Sequence, residues 1–281
     1  MAARLLRESQ EDDEKPLFSA KLESVKALHT LLKAIHFKDS ATCFLSSDGL
    51  KVTVEDAKCL QANAFIQASI FEDFTFDDEG TTFGINLSAL LECLSMFSTK
   101  DSTQRTAVRM AYNGYGSPLM ILIEESGVLI DCSIRTEEPI ETLDFDFCSA
   151  NVVNKAIVKA EGLREIFFEL DGTSSVVEIM ISPDAPYFRV TTFGIVGLIH
   201  FEIPKDSDMM ESFDSQQTQA NRFKFALIKP SIKALALASK VSIRMDTRGF
   251  LSMQYLIQNE DGSVCFVEYL CVPDMVLSEE E

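Results

Sequence analysis

The sequence predicts an α+β protein in which one mixed unit is written twice. Three observations carry that reading. The two halves share one order of elements, most apolar residues recur with the period of strands, and helical spacing is confined to a few short stretches.

In the first half, "SVKALHTLLKAI" places Val25, Leu28, Leu32 and Ile35 on one helical face, with Lys26, His29, Thr30 and Lys33 on the other. "TCFLSSDGLKVTVEDAKCLQANAFI" reads as two extended runs around a turn, rich in β-branched residues and broken at Asp-Gly. "EDFTFDDEG" reads as an acidic break. "TTFGINLSALLECLSMF" is a strand running into a helix, and "AVRMAYNGYGSPLMILIEESGVLIDCSI" supplies further strands. Its "NGYGSP", around Gly114 and Gly116, is a turn, because it lacks the Gly-Lys-Ser/Thr ending of a phosphate loop and does not open a helix.

The second half repeats the order. "SANVVNKAIVKAEGLREI" reads as a helix that buries Val153, Ile157 and Ala160, with Lys155 and Lys159 opposite. Strands follow in "VEIMISPDAPYFRVTTFGIVGLIHFEIP", then a polar break, "KDSDMMESFDSQQTQ". "NRFKFALIKPSIKALALAS" ends in a helix whose first turn suits Pro230. At about 3.6 residues per turn, Lys229, Lys233 and Lys240 fall within about 40° of one another. The strands of "VSIRMDTRGFLSMQYLIQNEDGSVCFVEYLCV" close the unit. Asp48 and Asp184, Phe83 and Phe223, Arg109 and Arg244, and Gly127 and Gly262 correspond at separations of about 135 to 140 positions.

With 281 residues, 46% of them hydrophobic, the chain can bury a sizeable core. It has no uncharged apolar run long enough to cross a bilayer and no secretory h-region. Residues 1–16 read as a charged, disordered tail and 274–281 as an acidic one. The seven cysteines never form Cys-x-x-Cys, and His29, His36 and His200 do not join them at ligand spacing, so neither a metal nor a disulfide framework is expected. That usage fits a reducing compartment. Cys43, Cys59, Cys93 and Cys148 sit in apolar patterns and read as buried structural thiols. The net charge of −19 repels nucleic acid unless cations are gathered in one place. The lysine faces of three of the four expected helices are such a place, and they are equally what a solvated helix face looks like.

"ETLDFDFC" sets Asp144 and Asp146 one residue apart, as in many magnesium sites. The alternation of Leu143, Phe145 and Phe147 with those acids is instead that of a half-buried strand. Asp77, Asp78, Asp131 and Asp171 offer no nuclease spacing around it. His200 reads as a solvent-facing strand position, and no Ser-His-Asp triad can be assembled.

"LKAIHF", "GLKVTVEDAKCLQANAFIQA", "EPIETLDFDFCSANVVNK", "PYFRVTTFG", "PKDSDMMESF" and "KVSIRMDTRGFLSMQYLIQNEDGSVCFVEYLCVPD" together resemble the Rad-one family, subunits of the nine-one-one DNA-damage checkpoint clamp. The likeness runs from about Leu17 to Pro273. That family resembles the replication sliding clamp PCNA. The resemblance implies a duplicated clamp fold, two domains at 17–134 and 148–273, each with a curved antiparallel sheet and two inner helices, joined by a connector at 135–147. It further implies a nuclear, non-catalytic subunit, in a 1:1:1 ring with Rad-nine and Hus-one type chains around duplex DNA, without sequence specificity. A clamp loader, repair enzymes and checkpoint mediators would be its partners, with no membrane and no cofactor. The alternative is a 3′ to 5′ exonuclease, an activity proposed for some members of the family. In a ring, Lys26, Lys33, Lys155, Lys159, Lys229, Lys233 and Lys240 would face DNA as flexible point charges. A client peptide would dock beneath the connector against Val54, Cys59, Ile140, Leu143, Val272 and Pro273. "GIVGLIHFEIP", 194–204, is more apolar than the family pattern.

Overall fold

The computed structural model describes residues 16–76, 80–98, 106–125, 127–258, 262 and 264–274. Apart from Pro16 and Asp274, the two expected tails lie outside these residues, as do Asp77 and Asp78.

The first unit runs β1 (Phe18–Leu22), α1 (Val25–Ile35), β2 (Ser40–Ser46), β3 (Gly49–Asp56), β4 (Leu60–Gln67), β5 (Asp73–Phe76), β6 (Thr82–Asn86), α2 (Leu87–Ser98), β7 (Ala107–Tyr112), β8 (Leu119–Glu125) and β9 (Val128–Ile134). After a two-residue strand, β10 (Thr136–Glu137), the same order returns. It runs β11 (Val152–Lys159), α3 (Ala160–Glu169), β12 (Val176–Ile181), β13 (Phe188–Gly194), β14 (Gly197–Ile203), β15 (Met210–Ser215), β16 (Gln219–Lys224), a broken helix, β17 (Lys240–Asp246), β18 (Leu251–Gln258) and β19 (Val264–Cys271). The broken helix is α4 (Phe225–Ile228), a 3-10 turn over Lys229–Ser231 that holds Pro230 in its first turn, and α5 (Ile232–Leu235). All four pairs of repeat anchors occupy equivalent places: the β2–β3 and β12–β13 connections, β6 and β16, β7 and β17, and the turns before β9 and β19.

Every strand pairing is antiparallel. A ten-stranded sheet, β10-β6-β2-β3-β4-β19-β18-β17-β11-β15, spans both units, flanked by five strands, β5-β1-β7-β8-β9, and four, β14-β13-β12-β16. The units join where β4 meets β19, from Leu60 opposite Cys271 to Phe65 opposite Phe266. One face of the large sheet is apolar, with Val52, Val54, Ala62, Ala64, Val267 and Tyr269 all buried. The helices cover that face: α1 packs against α2 and α5, and α3 against α5. The Tyr269 hydroxyl donates to the Ala34 carbonyl of α1 at 2.6 Å, which fixes the seam under the helices.

Several expectations are corrected. "VVNKAIVK" is a strand, β11, and the helix starts only at Ala160. Asn154, Ala156 and Val158 are its buried residues, so Val153 and Ile157, which mimic helical spacing, share the opposite face with Lys155. Three strands, not two runs, fill residues 40–67, because Ala57 and Lys58 adopt positive φ in a second tight turn. The two polar "breaks" hold β5 and β15. Lys240 opens β17 and is not part of a helical stripe. Cys148 is exposed rather than buried.

Candidate nucleic-acid and client-binding surfaces

The connector after β10 carries the acid pair. "LDFDF" keeps its alternation, Phe145 being buried and both aspartates exposed, but it has no ladder partner and is not a strand. Side chains hold it instead. Thr42 Oγ1 donates to the Ile140 carbonyl at 3.4 Å, and Gln61 Nε2 to the Leu143 carbonyl at 2.9 Å. The Leu143 N–H donates to Glu55 Oε2 at 2.7 Å. From the second unit, the Arg248 guanidinium donates to the carbonyls of Phe145 at 2.8 Å and Asp146 at 3.1 Å. Arg248 is itself oriented by fully buried Asp246, whose carboxylate also accepts the N–H groups of Arg248 and Phe250 at 2.9 Å. Asp144 turns back on the connector and accepts the Asp146 N–H at 2.9 Å. Among the described residues, no group of three or more His, Cys, Asp and Glu is placed to hold a metal ion.

Beside the connector lies a cleft of about 360 Å³ lined by Cys59, Lys224, Phe250, Val272, Pro273 and Asp274. The Val272 N–H donates to the Cys59 carbonyl at 3.0 Å and the Asp274 N–H to the Arg222 carbonyl at 2.7 Å, so the end of the described chain forms one wall. Phe250 packs edge-on against connector Phe145, ring centroids 6.0 Å apart. Three of the six expected pocket residues, Cys59, Val272 and Pro273, meet here. Ile140 and Leu143 lie on the connector outside this lining, and Val54 is fully buried on the helix-covered face, where it lines nothing on the surface. Phe250 was not foreseen. A second cavity of about 290 Å³ lies further along the same face, between Leu50, Lys51, Phe65, Gln254 and Phe266. Burial holds Lys51 below the usual lysine range there, and its ammonium sits 4.5 Å from the centre of the Phe44 ring.

The seven lysines divide between two faces. Lys26, Lys33, Lys229 and Lys233 are exposed on α1 and on the broken helix, and Lys233 also donates to the His36 carbonyl at the end of α1 at 2.7 Å. Lys155 and Lys159 are not on a helix. Lys155 stands in one cross-strand row with Arg244, Ser252, Leu270, Gln61 and Glu55. Glu55 and Gln61 grip the connector, so the row marks the face away from the helices. Lys159 lies opposite Lys240 on that same face, and Lys240 pairs with Glu211 at 2.5 Å. The sequence reading missed Arg164, an exposed cation on α3, because it placed that helix's start too early; the same helix also exposes Glu161, Glu165 and Glu169.

Two copies of a mixed β-α-β unit, one sheet continuous across them and all helices on one side, define a PCNA-like sliding-clamp subunit. Comparison with known proteins narrows this. The family described as "Repair protein Rad1/Rec1/Rad17" matches residues 17–257, and the chain belongs to that Rad1 family. It is 57% identical to the human "Cell cycle checkpoint protein RAD1" over 99% of both chains. It is 30% identical to the Schizosaccharomyces pombe "DNA damage checkpoint control protein rad1", covering 94% of this chain and 89% of that one. It is 25% identical to the Mycosarcoma maydis "DNA repair exonuclease REC1" over 61% of this chain and 48% of that one.

Proposed function

We propose that the chain is a non-catalytic subunit of a three-chain, DNA-encircling clamp that serves the DNA-damage checkpoint in the nucleus and recruits repair enzymes. Its domains are 17–134 and 148–273, joined by the connector 135–147, with tails at both ends. The observation that carries this reading is the seam between the units. By the repeat, β14 is the counterpart of β4, and β9 the counterpart of β19. Within the chain β4 pairs with β19, whereas β14 and β9 each end a sheet. The helices follow suit in part: α1 meets α5 beside the seam, and α2, the counterpart of α5, packs against the open-edge strand β9.

Both edges carry exposed apolar side chains. Ile195 and Val196, in the turn that leads into β14, are 89% and 80% exposed, while Val128 and Leu129 of β9, and Met96 of the α2 helix packed against it, are each about half exposed. An edge strand with unpaired donors and acceptors is a template for another chain. Two different edges make a head-to-tail contact, which closes a ring when the rotation allows it. The names of the human and fission-yeast relatives support the checkpoint assignment.

Co-expression with Rad-nine and Hus-one type chains, followed by native mass measurement, tests the assembly. A 1:1:1 complex is expected, and a stable homotrimer of this chain alone would overturn it. The exonuclease reading has one distant relative's name behind it. It would displace ours if purified protein degraded DNA with magnesium and Asp144→Asn/Asp146→Asn abolished that activity.

A further inference from the structure

We propose that Cys93 and Cys132 form a reversible disulfide that ties α2 to the edge strand β9 when the protein meets hydrogen peroxide. This does not depend on ring assembly. Cys132 alternates with exposed Asp131 and Ser133, so its half-buried side chain points under β9 toward the core. Cys93 is buried on α2, which packs against β9. Across that packing the Cys132 thiol is the sulfur that neighbours Cys93. A disulfide needs the sulfurs drawn to about 2.05 Å, an approach between a helix and a strand that are already packed together.

Burial pushes the Cys93 thiol up to about 12, so it is not the group that reacts first. The more accessible Cys132 attacks one peroxide oxygen as its thiolate. The O–O bond breaks, hydroxide leaves and is protonated to water, and Cys132 becomes a sulfenic acid. The Cys93 sulfur then attacks the Cys132 sulfur; the S–S bond forms, and the sulfenic hydroxyl leaves with the Cys93 proton as a second water. Two thiols lose two electrons, and one peroxide is reduced to two waters.

The test uses the reduced full chain, treated with hydrogen peroxide, quenched by alkylation and mapped under non-reducing conditions. One linked peptide pair, Cys93 with Cys132, is expected, with a loss of two hydrogens in intact mass. Dithiothreitol should reverse this, along with a rise of several degrees in thermal midpoint. Cys132→Ser should abolish the link. Cys93→Ala should leave Cys132 as a sulfenic acid that a dimedone probe captures. If Cys93→Ala does not fold, Cys132→Ser, at the half-buried position, still decides. Linkage of Cys59 with Cys271 instead, or oxidation confined to exposed Cys148 with Cys93 and Cys132 still alkylatable after denaturation, would overturn the proposal.

Discussion

Asp246 shows how much of the connector's position rests on single side chains. Its buried carboxylate satisfies two backbone N–H groups and the guanidinium that holds Phe145 and Asp146. Asp246→Ala leaves those donors unpaired, and a loss of about 3 kcal/mol in urea unfolding is expected. Arg248 is partly exposed, so Arg248→Ala should cost about 1 kcal/mol or less while loosening the connector. The Thr173 hydroxyl and N–H hold the Asp171 carboxyl below the usual carboxylate range. Because the folded value is depressed, this contribution is complete above the unfolded value and is lost as pH falls through the folded one. Amide shifts of Thr173, and of Ile195 whose N–H donates to Thr173 Oγ1, should therefore move with a midpoint more acidic than that of a free aspartate. A midpoint at or above the free value would contradict the assignment. The connector's partners were not legible in the sequence, since Arg248 meets Phe145 and Asp146 across 103 and 102 residues. Cys59, Val272 and Pro273 were legible only through resemblance, and Val54 failed because alternation fixes which residues share a face but not which face helices cover.

At the scale of elements, the reading succeeded where turns and long periodic runs speak for themselves, as in α1, α2 and the hairpin β8–β9. It failed at β11, where Val153, Ile157 and Ala160 fit both periods. Packing decided: two flanking strands complete the β11 ladder, and five of its eight residues, Val152, Val153, Ala156, Ile157 and Val158, are β-branched or small. The connector failed differently, because its period-two burial is real while its hydrogen bonds go to side chains rather than to a ladder. An element held that way should open locally. Glu55→Ala removes the acceptor of the Leu143 N–H, and hydrogen exchange at that amide should accelerate about tenfold, the equivalent of about 1.4 kcal/mol, with the β3–β4 amides unchanged. Equal rates in the variant would mean that the connector is held by its apolar contacts alone. The proposal that a client docks in the cleft beside the connector is tested at the same scale. Ile140→Asp/Val272→Asp should weaken client binding without preventing assembly, and unchanged affinities would move the search to the cavity beside Lys51.

For the whole molecule, charge must be judged by face, because a chain of net charge −19 can approach DNA only where its cations are concentrated. The fold separates the seven lysines into two sets that share composition but not placement. Lys26, Lys33, Lys229 and Lys233 stand on the helix side, while Lys155, Lys159 and Lys240 stand on the connector side. If the helices face the duplex, only the first set touches phosphates, each contributing little and the sum carrying the effect. Replacing all four with glutamate should weaken retention of the ring on DNA and flatten its dependence on salt, each lost phosphate contact reducing the log–log slope by about 0.9. Replacing Lys155, Lys159 and Lys240 should leave both unchanged, although it alters net charge by nearly as much. Because Lys233 also bonds the end of α1, native mass and thermal midpoint of the quadruple variant are measured first, so that a loss of assembly is not read as a loss of DNA contact. An equal effect of the two sets would make net charge the controlling quantity. A larger effect of the connector-side set would turn the ring inside out, and with it the assignment of the helices to the bore.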